Sequence, residues 1–183
     1  MKRRKESDDE ASDEDEEEVM VVNENGTTFK IRFAKSFTAK LIQASDETKA
    51  YYQALKNEML SYNGISNRVS WHYDSFNSGR KQVVKMSIRG KTLCLYFALD
   101  VKDLKGSKYK VELCGSAKYA AVPCMYRIRN DRRANYAKDL IAMTAEKYGL
   151  TKGKAENEEY SFPYEERDAL IERGLIKELK IKM

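Results

Sequence analysis

The sequence predicts an α+β fold of two layers, in which an antiparallel β-sheet carries two main helices packed on one face. Three observations predict it. Four segments alternate apolar and polar side chains with the two-residue period of strands, and two long segments repeat apolar side chains at three- and four-residue spacing. The links between the first three strand-like segments are too short for parallel crossovers, so those neighbours run antiparallel. At 183 residues, 42% hydrophobic and 34% charged, the chain has a one-domain length and enough apolar content to build one core.

The elements follow in order. Val19 to Val22 and Thr27 to Phe33 flank Asn23-Glu24-Asn25-Gly26, and Asn-Gly between β-prone runs predicts a hairpin because both residues tolerate positive φ. Ser36 to Gln43 reads as a short helix leading into a longer one. Ser45 or Asp46 caps the second, and Tyr52, Leu55, Met59 and Tyr62 form its buried stripe, with Tyr51 and Leu60 beside them. Asn63-Gly64 ends that helix. In Asn67 to Tyr73, the side chains of Val69, Trp71 and Tyr73 point one way and those of Arg68, Ser70 and His72 the other. Val84, Met86 and Ile88 alternate with Lys81, Lys85, Ser87 and Arg89; after Gly90-Lys91, Leu93, Leu95 and Phe97 form one face of the next strand. In Ala121 to Arg129, Val122, Cys124, Tyr126 and Ile128 oppose Met125, Arg127 and Arg129. Clean alternation implies a sheet covered on one face only. A polar excursion, Asp100 to Tyr119, separates the last two strands and holds an extra strand candidate at Tyr109 to Leu113. Asp131 to Tyr148 is the second long helix, with Ala134, Ala137, Leu140, Ile141, Thr144 and Tyr148 as its stripe and Gly149 as its stop.

Three parts are therefore expected: an acidic disordered tail over 1–18, an α+β domain over 19–150, and a linker with an amphipathic helix over 151–183. The tail carries four basic and ten acidic residues, a net of −6, which leaves 30 basic against 19 acidic residues, a net of +11, in the body. Such a run is a solubilising segment or an intramolecular competitor for a polyanion. Lys2-Arg3-Arg4-Lys5 also has the composition of a localisation signal.

No stretch reaches the ~18 uninterrupted apolar residues of a membrane span, and the first twenty residues lack the apolar core of a signal peptide. Cys94, Cys114 and Cys124 include no CxxC pair, and His72 is the only histidine, so neither a disulfide framework nor an ordinary zinc site is expected. A reducing cytoplasm fits this usage, and no membrane partner is expected.

The central block, Ser36-Phe-Thr-Ala-Lys-Leu-Ile-Gln43, Tyr51-Tyr to Leu60-Ser-Tyr62, Ser70-Trp71, Asp74-Ser-Phe76, Gly79-Arg80, Arg89-Gly-Lys-Thr-Leu93, Leu95-Tyr-Phe-Ala-Leu-Asp100 and Val122-Pro-Cys-Met-Tyr-Arg-Ile-Arg129, resembles an uncharacterised domain of Firmicutes proteins that is often present in several copies per chain. The resemblance covers roughly residues 30 to 150. The order of helix, antiparallel strands and helix is similar, more loosely, to the MmcQ/YjbR-like group. That likeness implies a CyaY-like α+β fold and a role in DNA binding. No catalytic or ligand residue carries over from either.

Strand parity gathers the basic residues. Arg68 and His72, Lys81, Lys85 and Arg89, and Arg127 with Arg129 all fall on the polar parity of their strands, so one shared sheet would set them on its uncovered face. Tyr96, Met125 and Ser70 are intermixed with them, as in surfaces that neutralise phosphates and stack on bases. A solvated face whose charges only guard the edges is the plainer reading. Arg132 and Arg133 open the last long helix, where the macrodipole disfavours cations, so the helix N-terminus is an anion-site candidate unless these arginines pair with Asp131 or with the excursion.

Enzyme readings have less to stand on. His72, Asp74 and Cys94 are single residues without a motif. Glu47, Glu58, Asp100, Asp103 and Glu112 form no paired-carboxylate or metal-ligand pattern, and Gly-x-Gly-x-x-Gly and phosphate-loop patterns are absent. No cofactor is expected. Most aromatic residues read as core, with Tyr96 and Phe76 as the exceptions. The leading expectation is a non-enzymatic module binding DNA or RNA. The alternative is an assembly domain tethered through Leu170, Ile171, Leu175 and Ile176 of the C-terminal segment.

Overall fold

In the computed structural model, which describes residues 18–183, the first hairpin forms as the Asn-Gly pair predicts. Strands β1 (Glu18–Glu24) and β2 (Thr27–Lys35) meet at Asn25 and Gly26, whose φ values of 51° and 79° match a turn needing positive φ at both central positions. The acidic tail expected over 1–18 lies outside the described residues, except that Glu18 belongs to β1.

Two helices follow. In α1 (Phe37–Ile42), the Ser36 hydroxyl accepts from the Ala39 amide at 3.1 Å; in α2 (Asp46–Leu60), Ser45 accepts from Thr48 at 3.2 Å. Each cap satisfies an amide that the helix itself leaves unpaired. The chain then builds a six-stranded antiparallel sheet from β3 (Ile65–Val69), β4 (Asp74–Ser78), β5 (Lys81–Arg89), β6 (Thr92–Phe97), β7 (Glu112–Leu113) and β8 (Cys124–Ile128), in the order β3-β4-β5-β6-β8-β7. Helix α3 (Asp131–Lys147) is capped by Asn130, whose side-chain Oδ1 accepts from the Arg133 amide at 2.9 Å. Residues of α2 and α3 share one core cluster with Val84, Met86, Leu95 and Tyr126 of the sheet. The fold is thus α+β with both long helices on one face.

The strand expected over 67–73 divides. Ser70 closes a tight reversal, with its amide on the Tyr73 carbonyl at 2.8 Å, so Trp71 and His72 sit in a bend and Asp74 to Ser78 becomes a strand. Phe76, expected as an exception to the core aromatics, is a fully buried residue of β4. Trp71 and Tyr73 have the residue types of a strand, and local propensity hides the reversal.

The sheet is covered on both faces. Excursion 100–123 folds back over the face away from the helices, where Cys94, Tyr96, Cys114, Tyr119, Val122 and Met125 form a second buried cluster. Expecting one covered face therefore fails: an irregular segment contributes three apolar side chains, and strand periodicity gives no sign of what a loop will cover.

Residues 151–183 run back along the domain. Asn63 and Gly153 bond to Thr151 and Ser61 across the end of α2, the Tyr160 amide donates to Gln53 at 2.9 Å, and Phe162 meets the Tyr52 ring edge-on at 6.0 Å. Helix α4 (Arg167–Glu172) buries Leu170. The chain ends in a strand absent from the sequence reading, β9 (Ile176–Lys182), antiparallel to β2, so a three-stranded sheet β1-β2-β9 packs through Ile31, Phe33 and Ile176 on α1 and α4.

Candidate functional site

The strand phase places Arg68, Ser75, Lys85, Tyr96, Met125 and Glu112 in a single cross-strand row of the six-stranded sheet. Alternation was therefore legible for this face. Its accessibility was not. Lys85 is 2% exposed; its ammonium donates to the Lys118 carbonyl at 2.6 Å and lies 3.9 Å over the Tyr73 ring. Arg89 is 5% exposed, with its Nη1 at 3.0 Å from the Met125 sulfur. Tyr96 is fully buried under Tyr119, and burial pushes its hydroxyl well above the usual tyrosine range. These three side chains belong to the interior: the Tyr119 ring and the Lys118 carbonyl of the excursion meet Tyr96 and Lys85, the Tyr73 ring reaches Lys85 from the bend, and Arg89 meets Met125 of β8.

The remaining candidates are spread out. Lys81 leaves the alternation: a register shift between Phe76 and Asn77 sets it opposite Ser78, on the other parity from Lys85. His72 is exposed in the bend, with the Lys118 ammonium 3.4 Å from its Nδ1. Arg68 and Arg129 are exposed, but β3 and β8 are separated by β4, β5 and β6, so the two strands lie roughly 19 Å apart. The Arg127 guanidinium bonds to Glu112 at 2.8 Å. Burial works against its charge, while that carboxylate holds its pKa above the ordinary value.

The start of α3 is satisfied from within. Arg132 donates to the Tyr136 hydroxyl at 3.1 Å, and Arg133 donates to the Arg127 carbonyl at 3.0 Å with its guanidinium 5.1 Å over Tyr126. Asp131 supplies the negative charge that the helix dipole favours. The Tyr51 hydroxyl lies 2.8 Å from Asp131 and 2.6 Å from Glu47 at the start of α2, a bond that raises its pKa, so the two helix N-termini are tied together. The unfavourably placed arginines need no bound anion to account for them.

The Cys-His arrangement is not brought together. Asp74 pairs with Met86 on the helix-covered face, Cys94 sits between Ser87 and Arg127 on the opposite one, and His72 is in the bend. Burial pushes the Cys94 thiol up to about 11 and the Cys124 thiol up to about 12, which disfavours the reactive thiolate.

Two features escaped the sequence reading. Asp74, with 0% exposure, accepts from Tyr52 at 2.7 Å and Asn67 at 3.0 Å and pairs with the Lys56 ammonium at 3.3 Å. Lys56 in turn lies 4.7 Å over the Tyr160 ring. The signal available was Tyr52 and Lys56 at i, i+4 on one helix stripe. The second is the outer face of the three-stranded sheet. Its register aligns Val19, Arg32 and Leu179 in one row and Val21, Lys30 and Ile181 in the next, so a basic ridge runs between two apolar margins. Val19, Val21, Leu179 and Ile181 are 52%, 62%, 56% and 39% exposed. The alternation of Leu179 and Ile181 with Lys180 and Lys182 was the signal for β9.

A cleft of about 1080 Å³ lies between α1, the β5–β6 turn and α4, lined by Lys35, Lys40, Lys91 and Arg167 together with Glu166 and Asp168. Its charges are mixed. Among the described residues there is no cluster of His, Cys, Asp and Glu that could hold a metal, and no helix is long and apolar enough to cross a membrane. No protein-family profile, curated protein or solved structure matches this chain.

Proposed function

We propose that this chain is a protein-interaction module whose contact surface is the outer face of the three-stranded sheet. The observation that carries the reading is the exposure of Val19, Val21, Leu179 and Ile181 on a sheet whose inner face is core. Large apolar side chains exposed at both margins of one sheet face mark a contact surface. Lys30 and Arg32 between them favour a partner segment that sets acidic side chains between apolar ones, since complementary charge fixes register and suppresses wrong partners. The polyanion reading draws less support. Lys85, Arg89 and Tyr96 are covered, Arg127, Arg132 and Arg133 are engaged within the fold, and Arg68, His72, Lys81 and Arg129 share no surface row.

The test places a photo-cross-linking amino acid at Leu179 in the cell, with Lys138 on α3 as the control position. A heterologous protein adduct at 179, absent at 138 and lost when Lys30 and Arg32 become glutamate, is the expected result. Equal adducts at both positions, or none at 179, would overturn the reading. So would salt-sensitive DNA or RNA binding by the full chain that Arg68→Ala and Arg129→Ala abolish.

A further inference from the structure

We infer that the outer edge of β1 pairs antiparallel with the β1 of a second copy of this chain, joining two three-stranded sheets into one of six. This edge contact is separate from the outer face of the sheet and does not depend on its partner.

The four sheet edges among the described residues differ in how they are guarded. Strand β9 carries Lys177, Glu178, Lys180 and Lys182 in seven residues, β3 is a five-residue strand with Ser66, Asn67 and Arg68, and β7 has only two residues. Strand β1 carries glutamates only at its two ends and no charge between them. Val19-Met20-Val21-Val22 is an uncharged run without proline or glycine, seven consecutive residues pair with β2 without a bulge, and Val19, Met20 and Val21 are exposed. A long, regular apolar edge templates the addition of another strand unless something covers it.

The occupant follows from composition and charge. Residues 1–17 offer only Met1 and Ala11 as apolar side chains and carry nine acidic ones, a poor match for this edge. A second β1 matches well. Parallel addition would bring the two acidic runs Asp13 to Glu18 side by side, whereas antiparallel addition sends them to opposite ends. A two-fold axis perpendicular to the sheet keeps each side chain on its own face, which restricts the register. Centring on Val21 sets Val19 against the second copy's Asn23, an apolar side chain against a polar one. Centring on Met20 sets Met20 against itself and Val19 against Val21. The latter is the register we assign.

Sedimentation equilibrium of the full chain tests the association, and single cysteines test the register. The mass is expected to move from 21.2 kDa toward twice that value as concentration rises, and Val21→Lys to weaken the dimer by about tenfold or more. Under mild oxidation Met20→Cys should form a disulfide dimer, since opposed Cβ atoms lie about 4.5–5.5 Å apart. Val22→Cys should not, because the two copies of that position are about 13 Å apart in this register. The native cysteines are buried and leave little background. A monomer at every concentration, or equal cross-linking at positions 20 and 22, would overturn the assignment. Neither result bears on a heterologous adduct at Leu179, so the two readings fail separately.

Discussion

The Tyr119 ring lies flat on the Tyr96 ring, with centroids 3.7 Å apart and planes within 5°. Tyr119 comes from the turn Ala117–Tyr119 of the excursion, and Tyr96 from the middle of the six-stranded sheet. This contact turns a predicted ligand surface into interior. Replacing Tyr119 by alanine should cost about 3–5 kcal/mol, the usual penalty for deleting a buried aromatic ring, read from urea unfolding. A cost under about 1 kcal/mol would mean that the excursion does not cover the face in solution.

The buried charge pair beneath α2 makes a second test. Asp74→Ala leaves the Lys56 ammonium buried without its counter-charge, and Lys56→Met leaves Asp74 in the same position. Each single change should destabilise by about 3–5 kcal/mol, since an uncompensated buried charge costs more than the pair contributes. The double variant should cost less than the sum of the two. Additive losses would show that the two side chains do not interact.

Thiol chemistry should follow burial. Cys94, Cys114 and Cys124 are buried, so a thiol reagent should label none of them in the native protein and all three in denaturant. The thiols of Cys94 and Cys124, pushed up by burial to about 11 and about 12, ionise more readily in the unfolded chain, where the value is 9.0. Their contribution to stability is therefore fully present below pH 9 and falls as pH rises from 9 through the folded values. Urea midpoints should drop on going from about pH 8 to about pH 10.5, and Cys94→Ala should flatten that drop. A midpoint unchanged across this range would contradict the burial of both thiols.

Removing residues 175–183 should loosen one sheet and spare the other. Strand β9 pairs with β2 from Phe29 to Lys35, and Ile176 sits with Ile31 and Phe33 in their core cluster. Amide hydrogen exchange should accelerate over residues 27–35 and remain slow over 81–97. Uniform acceleration would mean that the two sheets unfold as one unit.

The sequence by itself determined what depends on neighbours along the chain. Asn25-Gly26 set the first hairpin, Ser36 and Ser45 set the helix starts, and alternation from Lys85 to Arg89 and from Leu93 to Phe97 set which side chains face the helices. It missed the reversal at Ser70 and the strand β9, because Trp71 and Tyr73 have strand-like propensities and β9 exists only through its pairing with β2. Tertiary structure alone decided which surfaces meet water. Strand parity assigns a side chain to a face, but burial depends on what the rest of the chain lays over that face. The excursion takes Lys85 and Tyr96 inside, while the outer face of β1, β2 and β9 stays open because nothing among the described residues folds over it.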